Sequence, residues 1–281
     1  MSDDRWPDRD EARPRHNDLR ERGREERGRD RRSRPQPGLD RLRDERDLVR
    51  YRGHDYRLNG ADVELLRTVG TFRAVYAEHL REDFRALDNQ VRQLRDQGLM
   101  TVEHIQTPDT HRLTHVLTLT RDGHRLVSAG EEGEQRYHWG LVQPRELHHD
   151  AHLYCIVKLE EERAEARGAH VERVKTDDEL EREWWSRELA DLEPAERATQ
   201  IGIGLDDDGR AVFPDVQIVI READESCSRC NLELTTEHYA GRAMRAKAAA
   251  GFRMYGLRSG NSGGRGGDLN RDHDRWHIFD L

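Results

Sequence analysis

From Phe213 to Tyr239 the chain reads FPDVQIVIREADESCSRCNLELTTEHY, two alternations of apolar and polar residues around a polar turn. Strand side chains point to opposite faces in turn, so this stretch constrains the fold more tightly than any other. It predicts a β-hairpin with Val216, Ile218, Ile220, Leu232 and Leu234 on one face. The other face carries Asp215, Gln217 and Val219 from the first strand, and Asn231, Glu233 and Thr235 from the second. A turn centred near Glu225 sets Asp215 opposite Thr235 and Gln217 opposite Glu233. Carboxylates are depleted in strands and costly to desolvate without a partner. Two acids on one face therefore call for a shared cation, either a divalent metal such as Mg2+ or a basic side chain. The next segment, EHYAGRAMRAKAAAGFRMY, reads as a helix with Ala243, Lys247, Ala250 and Met254 on one face. Small neighbours there would let Lys247 reach the sheet. Metal site and ion-pair cluster both remain open at this point.

Of the 281 residues, 37% are charged and 34% are apolar, too few apolar groups for a core if spread evenly. They are not spread evenly. Arg, Asp and Glu alternate through the first fifty or so positions, as in RERGREERGRDRRSRPQPG, with almost nothing to bury. A disordered mixed-charge tail is expected over 1–52, serving as a solubiliser or as an arm that touches nucleic acid. The net charge of −9 argues against coating DNA by bulk charge but permits a local basic surface. No apolar run is long enough to span a membrane, and no secretory leader is visible, so no membrane partner is expected. Three cysteines, Cys155, Cys227 and Cys230, fit a reducing cytoplasm. Arginine replaces lysine almost everywhere except Lys158, Lys175 and Lys247, which points to a GC-rich bacterial genome.

After Tyr56 the pattern becomes that of a folded domain. Val63, Leu66 and Val69 have helical spacing behind Asn59 and Asp62; VYAEHLR reads as a second short helix. A third helix carries Phe84, Leu87, Val91 and Leu94 on one stripe and stops at Gly98. Two alternating segments around Thr107-Pro108-Asp109-Thr110 form a hairpin, and RDGHRLVSAG a closing helix. Three helices followed by a hairpin are the order of a winged helix-turn-helix, which the run LTLTRDGHRLV also resembles. The third helix then presents Arg85, Asn89, Arg92, Gln93 and Arg95 outward, side chains suited to base edges in double-stranded DNA. His111 and Arg112 stand near the wing tip. A solvated polar face, or a winged helix used for protein contacts, is the alternative.

Residues 131–147 are expected to be a linker. A long helix follows through ELHHDAHLYCIVKLEEERAEARG, then a strand at Val171–Val174, a further helix, and a loop over 192–210. His148, His149 and His152 give pairs at helical spacing able to hold a metal, against a plain polar helix start. Cys227 and Cys230 have zinc-knuckle spacing without a second pair, against an ordinary turn; His238 and Cys155 join only if the fold brings them near. Residues 257–281 begin as a flexible Gly-rich tail and end in WHIFDL, which has the side chains to dock back.

Pro214-Asp215, Glu233 in a neighbouring strand and a nearby lysine resemble the PD-(D/E)XK nuclease core. The wider pattern PDVQIVI…NLELTTEHYAGRAMRAKAAAGFRMY resembles the replication-relaxation family of plasmids and other mobile elements. The resemblance implies an α/β (α+β) protein with a winged helix over 53–130 and a restriction-endonuclease-like domain over 148–256. It implies double-stranded DNA as partner, with a relaxase or other mobilisation protein, and a homodimer as a further option. It also implies Asp215 and Glu233 as ligands of Mg2+, with Lys247 completing the catalytic set of a metal-dependent DNA endonuclease. One departure stands out: Glu-x-Lys is replaced by Glu233-Leu234-Thr235, leaving Lys247 as a migrated equivalent. Glu161, Glu162 and Glu179 are candidates for the upstream acid such sites often carry. The rival reading is a winged-helix transcriptional regulator whose C-terminal half is structural or dimerising.

Overall fold

In the computed structural model the residues described are 39, 42, 44–106, 113–129, 135–140, 144–235, 241–256 and 277–278. Strands β1 (Asp47–Tyr51) and β2 (His54–Leu58) pair antiparallel around Arg52-Gly53, both at positive φ (50° and 83°) as a tight hairpin turn needs. Their inward residues Val49, Tyr56 and Leu58 are buried. This corrects the expected tail boundary at residue 52, which falls inside a hairpin. Arg50, Asp55 and Arg57 lie exposed on the outer face and hide the alternation. Most of the preceding run lies outside the described residues. Helix α1 (Gly60–Thr71) starts where Asn59 Oδ1 accepts from Asp62 N at 2.9 Å, while Asp62 Oδ2 accepts from Asn59 N at 3.1 Å. Arg46 Nε also donates to the buried Asp62, at 2.8 Å.

The helix expected over Val75–Arg81 is not there. Val75 and Tyr76 form a short strand, β3, opposite Leu117 and Val116, and turns follow. A β-branched and an aromatic residue with a buried sheet edge to pair with override a weak helical pattern. Helix α2 (Leu87–Asp96) buries Leu87 and Leu94, with Phe84 beneath its start and Val91 half-buried. Strands β4 (Met100–Gln106) and β5 (Leu113–Leu119) form the expected hairpin in a sheet of order β3-β5-β4; its turn lies outside the described residues. Helix α3 (Arg121–Ala129) begins at Thr120, whose Oγ1 accepts from Gly123 N at 3.0 Å.

The elements that follow are α4 (Pro144–Glu165), β6 (His170–Thr176), α5 (Asp177–Trp184), α6 (Pro194–Ile201), β7 (Gly204–Leu205), β8 (Ala211–Val212), β9 (Val216–Arg221), β10 (Cys227–Thr235), α7 (Gly241–Ala249), β11 (Arg253–Gly256) and β12 (His277–Ile278); β7 and β8 pair by themselves, and the other five strands form one sheet. Its strand order is β12-β11-β10-β9-β6; β6, β9 and β10 run antiparallel, and β10 runs parallel to β11. Four expectations change here. The loop over 192–210 holds α6, started by Pro194 and a Glu193–Glu196 capping box and ended at Gly202 (φ 75°), and then β7, which pairs with β8 just beyond it. The helix carrying Lys247 ends at Ala249, and Met254 lies in β11 instead. Cys227 and Cys230 lie in β10, because the turn falls earlier, with Glu222 N donating to Ser226 O at 2.9 Å and Glu225 at φ 65°. His277–Ile278 pairs with β11, so part of the expected C-terminal tail adds a strand.

One hydrophobic cluster joins Leu65, Leu66 and Leu117 to Ile156, Val157, Ile218 and Leu232. Tyr137 belongs to it, and His138 N donates to Gly70 O at 2.6 Å, so the expected linker is anchored to the core there, and its last positions, from Pro144, already belong to α4. Phe72 meets Tyr154 edge-on at 5.5 Å. One main core thus runs through both halves of a mixed α/β fold, with two smaller clusters beside it, one around Leu180, Trp184 and Ile201 and one around Tyr76, Val116 and Ala151. No helix among them is long and apolar enough to cross a membrane.

Candidate functional site

The register pairs Leu232 with Val216, and one step further Asp215 stands beside Glu233. The turn centres on Asp224, one residue earlier than expected, which moves every pairing by two and leaves the faces unchanged. Gln217 consequently faces Asn231, and its Nε2 donates to Asn231 Oδ1 at 3.0 Å and to Gly202 O at 3.0 Å. Asp215 N donates to Glu233 Oε2 at 3.3 Å, and Leu234 N to Asp215 Oδ2 at 2.7 Å. Glu233 is wholly buried, and Lys247 Nζ forms a close ion pair with its Oε1. Asp215, Glu233 and Lys247 are therefore brought together.

The partner missed in the sequence is His149. From α4 its Nε2 donates to Asp215 Oδ2 at 3.1 Å, and its Nδ1 points to Asp150 Oδ1 at 3.4 Å. Burial disfavours the charged ring, but the two carboxylates outweigh it and raise its pKa to about 10. Burial likewise works against the Asp215 carboxylate, yet His149, Lys247 and the Leu234 amide together hold its pKa below the usual value. The line of charge continues. Arg73, at φ 60°, lies 3.6 Å from Asp150, 2.9 Å from Asp177 and 2.6 Å from Asp178. Asp177 N donates to Asp215 O at 3.2 Å. Desolvation, against the pull of Arg73 and with Asp178 adding to it, pushes the Asp177 carboxyl up to about 6. The HHD run at His148–Asp150 was the available signal for His149; nothing in the sequence marked Arg73.

The proposed upstream acids go elsewhere. Glu161 pairs with Lys158 at 3.1 Å, Glu179 forms a close pair with Arg173, and Glu162 is exposed. A different buried acid, Glu160, bonds Arg253 and Tyr255 and fastens α4 to β11. A cavity of about 630 Å³ opens between α1 and α4, lined by Val63, Phe72, Tyr154 and Val157, and the Asp215 group takes no part in its wall.

Asp215 and Glu233 do not suit Mg2+ as arranged. Each acid already faces an organic cation, His149 or Lys247, and four contacts to their oxygens come from those cations and from the backbone amides of Asp215 and Leu234. Two negative charges beside two positive ones leave no net charge for a divalent ion to neutralise, so a metal would have to displace a cation.

On the other half, Arg85, Asn89, Arg92, Gln93 and Arg95 are all exposed on and just before α2. Arg95 lies 3.2 Å from Asp96 in an exposed pair that solvent can loosen. His111 and Arg112 lie outside the described residues. None of the three cysteines is in a disulfide, and Cys227 is exposed and 3.7 Å from Glu172 Oε2. No protein-family model, no curated protein and no solved structure matches the chain.

Proposed function

We propose that this chain is a double-stranded-DNA-binding protein of the replication-relaxation type, acting in the replication, relaxation or mobilisation of a plasmid or other mobile element. The observation that carries the reading is the exposed row Arg85, Asn89, Arg92, Gln93 and Arg95, backed by a buried apolar stripe and followed by the β4–β5 hairpin and α3. That is how a winged helix offers a recognition helix to the major groove. The order α4-β6-β9-β10-α7-β11, with Asp215 and Glu233 adjacent and Lys247 behind them, supports a nuclease-like second half. With both acids engaged by His149 and Lys247, that half serves the complex without cutting.

The test is a gel-shift titration of the full chain at fixed salt against a selected duplex and a scrambled one. Arg92→Ala and Gln93→Ala are expected to weaken selective binding by about 1–3 kcal/mol each. Unchanged affinity in both would remove α2 as the reader. A second reading, an active endonuclease, is favoured by the convergence of Asp215, Glu233 and Lys247. Nicking of supercoiled plasmid in Mg2+ or Mn2+, abolished by Asp215→Asn, would establish it. Binding to one operator, with neither nicking nor mobilisation affected, would favour the regulator.

A further inference from the structure

Helix α4 has a second polar side. His149 turns toward the sheet acids, whereas His148, His152 and Cys155 face β3 and the turn after it. His79 lies in that turn, fixed by His79 N donating to Tyr76 O at 3.1 Å. Tyr76 stacks edge-on against His79 at 5.2 Å and against His152 at 5.1 Å, and its hydroxyl bonds His148 Nδ1. Inside this frame Cys155 Sγ lies 3.0 Å from His79 Nδ1. One ligand atom each from His79, His152 and Cys155 fall within 4.8 Å of one another, with His152 buried and the other two half-buried.

We propose that His79, His152 and Cys155 form a binding site for a divalent transition metal of the Zn2+ class, fastening the turn after β3 to α4. A tetrahedral site with Zn–N of about 2.0–2.1 Å and Zn–S of about 2.3 Å has ligand–ligand edges of about 3.3–3.6 Å. The observed 3.0 Å contact and the 4.8 Å limit bracket those edges, so small side-chain rotations suffice. One thiolate and two imidazoles select Zn2+ over Mg2+ or Ca2+, which prefer oxygen. Water takes the fourth position. His152 and Cys155 meet the ion together because a separation of three places them on one helical face. The site is separate from Asp215 and Glu233 and does not depend on the DNA reading.

The probe is Co2+, titrated into the full chain without an affinity tag after chelator treatment, then displaced by Zn2+. The expected result is one equivalent bound, with the visible bands of tetrahedral Co2+ and a thiolate-to-metal charge-transfer band. Cys155→Ser should remove the charge-transfer band, and His79→Gln should weaken Co2+ binding by at least about tenfold. Asp215→Asn and a Cys227→Ser/Cys230→Ser double variant should leave the spectrum unchanged. Melting in chelator shows whether each variant folds; Zn2+ should raise the melting point of wild type and not of Cys155→Ser. An absent tetrahedral spectrum, a charge-transfer band that survives Cys155→Ser, or one lost with Cys227 and Cys230, would each overturn the proposal.

Discussion

Glu233 has no solvent-exposed surface, and Lys247, 14% exposed, is the cation beside it. Removing the charge from Lys247 leaves a buried carboxylate facing Asp215 with its main compensation gone. Lys247→Met should therefore destabilise the fold by about 3–5 kcal/mol near neutral pH. The loss should shrink on acidification as Glu233 takes up a proton, and a Glu233→Gln/Lys247→Met pair should recover much of it. Urea unfolding of the three proteins at two pH values measures this; a Lys247→Met chain as stable as wild type would mean that the acids are solvated. His149 gives a pH signature of opposite sense. Its pKa rises from 6.5 to about 10 on folding, so its contribution is complete below about pH 6.5 and gone above about pH 10. The Asp215 pKa falls on folding, so its contribution is present above about 3.8 and is lost as pH drops through the lower folded value. The stability gap between wild type and His149→Gln should thus be widest between about pH 4 and 6.5 and close toward pH 10. A gap that stays constant over melts from pH 4 to 10 would show that His149 is not the charged partner.

Between elements, the closest fit is at α3. A Cβ built on Gly123 would stand 2.0 Å from the Leu99 carbonyl oxygen, a backbone atom that cannot swing aside. Gly123→Ala should gain up to about 1 kcal/mol of helix propensity and lose about 1–3 kcal/mol or more to the forced separation of α3 from the Leu99 segment. The expected net effect is a lower urea midpoint with an unchanged slope; a raised midpoint would mean that α3 can move away freely. No local pattern announces such a glycine, because the clash comes from a residue met only in three dimensions. The same distinction separates what was legible from what was not. The α1 stripe, the β4–β5 alternation and the faces of β9 and β10 could be read, because periodicity reports burial directly. So could the meeting of Asp215, Glu233 and Lys247, since face parity survives a two-residue error in register. The strand at Val75–Tyr76 could not, because its partner β5 is distant in sequence. His149 and Arg73 could not be assigned either, because an ion pair between distant segments leaves no spacing to detect.

At the scale of the whole molecule, the sequence suggests two folded domains with a linker over 131–147, and that arrangement would melt in two steps. The packing says otherwise. Leu66 and Ile218 belong to one cluster, Tyr137 from the middle of the supposed linker is buried in it, and Phe72 meets Tyr154 across the join. Polar contacts cross the same seam: Lys158 Nζ lies 3.2 Å from Asp83, and Tyr154 Oη bonds Asp83. Arg73 adds its pairs with Asp150, Asp177 and Asp178. Neither half can unfold without exposing the apolar surface that the other covers, so the two should lose structure together. Scanning calorimetry of the full chain should show a single transition with calorimetric and van't Hoff enthalpies in agreement. Leu66→Ala and Ile218→Ala, one in each half, should each cost about 2–5 kcal/mol and move that one transition as a unit. Two resolved transitions, with Leu66→Ala shifting one and Ile218→Ala the other, would restore the linker and reduce the shared core to a contact between independent domains.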